Sequence, residues 1–112
     1  MSTSSVGIPT MTDNNGNKLW RLNGKIHRED GPALEYPLDG RKEWYLHGLL
    51  HREDGPAITC AYGYNVWYLN GKRHREDGPA LEYQGAKVWY LNGNKITEEE
   101  HSSQTSLVKR AI

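Results

Sequence analysis

The heptapeptide His-Arg-Glu-Asp-Gly-Pro-Ala occurs three times without change, at His27–Ala33, His51–Ala57 and His74–Ala80. Tryptophan keeps the same step: Trp20, Trp44, Trp67 and Trp89 stand 24, 23 and 22 residues apart. A fixed period in the twenties is the mark of a stacked array, in which no single unit can bury its apolar face alone. The unit reads W-Y-L-N-G-K-x-H-R-E-D-G-P-A-L-E-Y, followed by a short glycine-containing link to the next tryptophan. Three units and a closing half, Trp89–Ile96, make a repeat domain over residues 18–96. Residues 1–17, rich in Ser, Thr, Asn and Gly, are expected to form a flexible segment with a strand-like cap near Asn17–Trp20.

Each unit spells out strands and turns. Lys42-Glu43-Trp44-Tyr45-Leu46 and its equivalents suit a strand, with Trp44 and Leu46 on one face and Glu43 and Tyr45 on the other. Asn-Gly follows at 23–24, 70–71 and 92–93, and His47-Gly48 stands at the same place. Asn-Gly between strands is the strongest short hairpin signal, because both positions tolerate the positive φ of a type I′ turn. The Gly-Pro pairs make a second bend, and Ala-Leu-Glu-Tyr (Ala33–Tyr36, Ala80–Tyr83) starts the next strand, with Ala57–Cys60 as the divergent copy. The fold class that follows is all-β, a single-domain meander of antiparallel hairpins. Thr97 three residues before Glu100 is capping-box spacing, so residues 97–112 are expected to form a capping helix or tail. Its apolar face would be Leu107, Val108, Ala111 and Ile112, and its expected task is to cover the last open sheet edge.

Charge and cysteine content narrow the function classes. Lys plus Arg and Asp plus Glu each number 14, which argues against a nucleic-acid coat or a polybasic membrane patch. Cys60 is the sole cysteine, so no internal disulfide forms and a reducing cytoplasm is expected. No apolar run approaches the ~20 residues of a membrane span, and Met1–Thr10 lacks a signal-peptide plan.

The W-Y-L-N-G-K-x-H-R-E-D-G-P-A repeat, with the Asn-Gly-Asn-Lys-Ile-Thr-Glu-Glu-Glu segment that closes it, resembles the MORN-like β-hairpin repeat proteins, particularly small ones encoded by bacteriophages and giant viruses. The resemblance covers residues 18–100. It implies a scaffold or binding role without shared catalytic residues, and a viral origin would imply a partner inside an infected host cell.

The repeated polar residues invite catalytic or metal-binding readings, which the repetition itself weakens. Equivalent histidines, His27, His51 and His74, would lie roughly 10 Å apart if each unit adds two strands. Sharing one zinc ion would need nitrogens about 2.0–2.1 Å from the metal. A histidine–aspartate hydrogen bond within each unit is the plainer expectation. The Arg-Glu-Asp triplet offers acid, base and anion binder, yet identical copies at constant spacing suit a structural need of every rung better than one catalytic cluster. Arg28, Arg52 and Arg75 are accordingly expected to pair with nearby Asp or Glu. The Trp20, Trp44, Trp67 and Trp89 column, with Leu22, Leu46, Leu69 and Leu91, is expected to be the shared core.

The opposite face carries Tyr45, Tyr68 and Tyr90. Beside the arginines, such a row suits either recognition or packing against Leu34, Tyr36, Leu81 and Tyr83, since Tyr and Arg dominate binding hot spots. The candidate binding residues are therefore Tyr45, Tyr68, Tyr90, Arg28, Arg52, Arg75, His51 and His74, with no catalytic residue, cofactor or metal expected. The basic stretch Lys72–Arg75 is offset at once by Glu76 and Asp77, so nucleic acid is disfavoured. The expected function is a non-enzymatic module, of viral origin if the resemblance holds, that binds and inhibits a host protein through the Tyr/Arg surface or an open strand edge. The rival is a protein that sequesters a nucleotide-type immune signal or other small anion, with oligomers possible through strand edges.

Overall fold

The computed structural model describes residues 9–111, with side chains as far as residue 106. Ahead of the first loop come β1 (Met11–Thr12), β2 (Lys18–Leu19), β3 (Arg21–Leu22) and β4 (Lys25–Ile26). Next are β5 (Leu34–Tyr36), β6 (Arg41–Glu43), β7 (Tyr45–Leu46) and β8 (Leu49–Leu50). The third set is β9 (Ile58–Thr59), β10 (Asn65–Val66), β11 (Tyr68–Leu69) and β12 (Lys72–Arg73). The chain closes with β13 (Leu81–Tyr83), β14 (Ala86–Leu91), β15 (Asn94–Ile96) and α1 (Glu98–Ala111). The fold is an all-β antiparallel meander with one C-terminal helix, as the repeat pattern predicts.

Among the described residues, nine strands form one sheet in the order β1-β2-β5-β6-β9-β10-β13-β14-β15. The hairpins β3–β4, β7–β8 and β11–β12 leave that sheet and stand beside one another. Tryptophan is the point of departure. Trp44 donates its backbone N–H to the Ala57 carbonyl, while its own carbonyl accepts from His51 N–H; Trp20 and Trp67 do the same with Ala33 and His27, and with Ala80 and His74. Each indole-bearing residue thus joins two ladders. No further unit follows Trp89, and β14 accordingly runs unbroken from the sheet into the last hairpin.

The hairpin turns are those the Asn-Gly pairs predict. Asn23, Asn70 and Asn92 have φ of 54, 51 and 51°, His47 has 53°, and the glycine after each is also left-handed. Gln84 and Gly85 make a turn of the same kind between β13 and β14, where the glycine of the inter-unit link predicts one. Adjacent hairpins are themselves bonded: Arg28 N–H reaches Tyr45 O, and Gly48 N–H reaches Ile26 O.

The core differs from the expected one. The buried side chains are Trp20, Ala33, Ala57, Ile58, Val66 and Ala80, with the polar His27, Glu43 and His101. Trp44, Trp67 and Trp89 are only half-buried. The reason is thickness: the molecule measures 46 × 36 × 17 Å. Its radius of gyration, 15.8 Å, exceeds the ~13 Å of a compact chain this long. A body so thin has room at its centre for alanines and few indoles. Directly opposed residues share a face, so the row from Leu19 through Leu34, Glu43, Ile58, Val66 and Leu81 to Val88 lies on one side of the sheet.

Both ends of the described part are bound into the array. Residues 1–8 lie outside the described part, but from Thr10 onward the chain belongs to the sheet rather than being loose. Asp13 explains why: its Oδ1 accepts the N–H groups of Asn15 and Asn17, both at 2.9 Å, closing the β1–β2 turn. The Asn17 N–H in particular holds the Asp13 carboxyl below the usual range. At the other end Thr97 and Glu100 form the reciprocal capping box, at 2.8 and 3.0 Å. The side chains of Leu107, Val108, Ala111 and Ile112, the expected apolar face of the helix, lie outside the described part. The docking seen comes from His101, buried and bonded through Nε2 to the Arg75 carbonyl at 2.6 Å, and α1 packs against β14.

Candidate functional site

The three identical loops adopt one geometry, and almost every repeated residue has a mechanical task in it. The Arg28 guanidinium carbon sits 3.9 Å from the centroid of the Trp20 ring; Arg52 on Trp44 and Arg75 on Trp67 repeat that distance. Nε donates to the aspartate two residues on, at 2.9, 3.1 and 2.9 Å, and Nη1 donates to the proline carbonyl of the same loop. A Cβ at Gly31, Gly55 or Gly78 would stand 2.9, 3.0 or 2.8 Å from the arginine Cζ, so a side chain there would push the guanidinium from its seat on the indole. Arg-x-Asp-Gly-Pro is thus a clamp holding a cation flat on an indole.

The histidines join successive units. Nδ1 of His27, His51 and His74 accepts the backbone N–H of His47, Asn70 and Asn92, each at 2.9 Å. With Nδ1 accepting, the ring proton belongs on Nε2, which faces Glu29, Glu53 or Glu76 at 3.3–3.4 Å. The expected histidine–aspartate bond is therefore replaced by histidine–glutamate, because arginine already holds the aspartate. Among the described residues, no three His, Cys, Asp or Glu side chains come together as a metal site requires.

The expected Tyr/Arg surface is divided between different surroundings. Arg28, Arg52 and Arg75 lie on their tryptophans, and the grooves between loops contain no tyrosine. The cation that the tyrosines receive is Arg73, whose Nε and Nη1 donate to the hydroxyls of Tyr68 and Tyr90 at 3.2 and 3.1 Å. Tyr45 instead donates its hydroxyl to Glu43 at 3.0 Å. Burial, then the Glu43 charge and this hydrogen bond, push the Tyr45 phenol up to about 12. Glu43 is itself buried, held by Arg41 and Tyr45, at a sheet position where the other rungs carry Leu19, Val66 and Val88. That break in an apolar column was a readable signal; His101, a histidine outside the repeats, was another.

Two open grooves remain between successive loops. One, of about 680 Å³, has Trp44, Leu46 and His51 between the loops of Arg28 and Arg52; the other, of about 700 Å³, has Trp67, Leu69 and His74 between those of Arg52 and Arg75. Each is lined by four carboxylates against two arginines, and the arginines are clamped. The acids face water: Glu53 and Asp54, shared by both grooves, are 82% and 88% exposed. Comparison with protein-family models, curated proteins and solved structures finds no match.

Proposed function

We propose that the chain is a non-enzymatic repeat module that binds a polypeptide partner, and that, as its resemblance implies, it serves a virus by inhibiting a host protein. One observation carries the reading. The repeated His, Arg, Glu and Asp are engaged in clamps and inter-unit bonds, while grooves lined in part by half-exposed Trp and Leu remain open. Side chains so held are poor proton shuttles, whereas a rigid periodic surface suits recognition. Sequestration of a nucleotide-type signal is disfavoured in these grooves, where exposed carboxylates outnumber arginines already committed to them.

The immobilised full chain should retain one stoichiometric polypeptide from host-cell lysate, displaced by free protein. It should show no thermal shift with cyclic nucleotides. A nucleotide shift of several degrees without a polypeptide partner would replace this reading by the sequestering one.

A further inference from the structure

From the two inter-loop grooves we infer the chemistry of the partner: a basic, extended peptide in polyproline II conformation, with Lys or Arg at every third position. The assignment rests on the binding-module reading and adds to it a surface, a charge and a spacing.

A lining that combines leucine and the uncovered part of an indole with four carboxylates suits a side chain with an apolar stem and a cationic tip, which describes Lys and Arg. The protein already uses this pairing internally, since each clamp lays a guanidinium on an indole at 3.9 Å. The two arginines of each groove, held by the aspartate and the proline carbonyl of their own loops, offset two of its four carboxylates and leave an excess of negative charge. Charge complementarity therefore favours a cationic occupant.

Two sheet strands separate each loop from its equivalent, which at strand spacing is about 9–10 Å. A polyproline II chain turns once in three residues and rises about 9 Å in doing so, which brings every third side chain to the same face at that step. A β-strand alternates faces, so its third residue points away at the same distance. The two grooves therefore select two cationic residues three apart.

The test uses the intact chain and three synthetic proline-rich peptides: arginine at every third position, the same composition with the two arginines adjacent, and glutamate in place of arginine. Tryptophan fluorescence reads binding. The first peptide should bind about tenfold more tightly than the second and lose affinity with added salt, and the glutamate peptide should not bind. A Glu53→Gln/Asp54→Asn variant keeps acceptor oxygens for His51 and Arg52 but removes charge from both grooves, and should weaken binding about tenfold. Glu98→Gln/Glu99→Gln removes the same charge from the start of α1 and should leave affinity unchanged. Equal affinity for the two arginine spacings, or unaltered binding by the Glu53/Asp54 variant, overturns the inference. Retention of the lysate partner by that variant as by the parent also overturns it, and leaves the module reading intact; absence of any partner removes both.

Discussion

At the scale of single residues, repetition means that one side chain does one task three times. His51 offers Nδ1 to the Asn70 N–H of the following unit. Replacing it by alanine exchanges that bond for one to water, since Asn70 is exposed, at a cost of about 0.5–1.5 kcal/mol. Asparagine carries an acceptor at the same δ position, so His51→Asn should recover most of the loss in urea melts. If both variants lose equally, the imidazole acts by packing and not by its lone pair. Tyr45 gives a pH signature. Its phenol is raised from 10.0 to about 12, so the folded protein holds that proton more tightly than the unfolded chain does. The stability linked to it is intact below about pH 10 and is lost as pH climbs toward 12. Denaturant melts across this window should show the loss in the parent and its absence in Tyr45→Phe; matching slopes would refute the assignment.

At the scale of elements, most of the architecture is local chemistry made visible. The Asn-Gly turns were legible because few residues accept two successive positive φ values, and asparagine followed by glycine does. Thr97 and Glu100 were legible for a similar reason: capping is a contact between near neighbours in sequence. Thr97→Ala should cost about 1 kcal/mol and quicken amide exchange in the first turn of α1. Unchanged exchange would mean that docking, not the cap, holds that end. Docking itself was not legible. The His101–Arg75 contact spans 26 residues, and helix spacing alone does not reveal which loop a histidine will meet. The turn between β13 and β14 was legible from Gly85, but not that Gln84 before it also takes a positive φ, because glutamine is not a usual bearer of it; β13 and β14 impose it from either side.

The whole molecule is a thin slab, and its stability is distributed accordingly. Trp20 is 2% exposed, whereas Trp44 and Trp67 are half-buried under Arg52 and Arg75. Trp20→Ala should therefore cost the ~3–5 kcal/mol of a buried aromatic. Trp44→Ala should cost nearer 2 kcal/mol, from partial burial and one cation–π contact. Equal losses in calorimetry would contradict this ranking. Among the described residues β1 and β15 are the end strands of the sheet, while α1 rests on β14 and the loop of Arg75. The grooves exist only at this scale, since each needs two loops from different units.

The antiparallel hairpins, their turns and the capping box belonged to the sequence alone, because each depends on preferences within a few residues; the break at tryptophan, by which β3–β4, β7–β8 and β11–β12 leave the main sheet, did not. Which face became the core was decided by tertiary structure. Alternation placed Trp44 and Leu46 together on one side, but it could not show that arginine would cover the indole while Ala57 and Val66 took the interior. Volume and solvent exclusion are properties of many rungs at once. A period fixes what stacks on what, and only the stacked body determines how much room lies between.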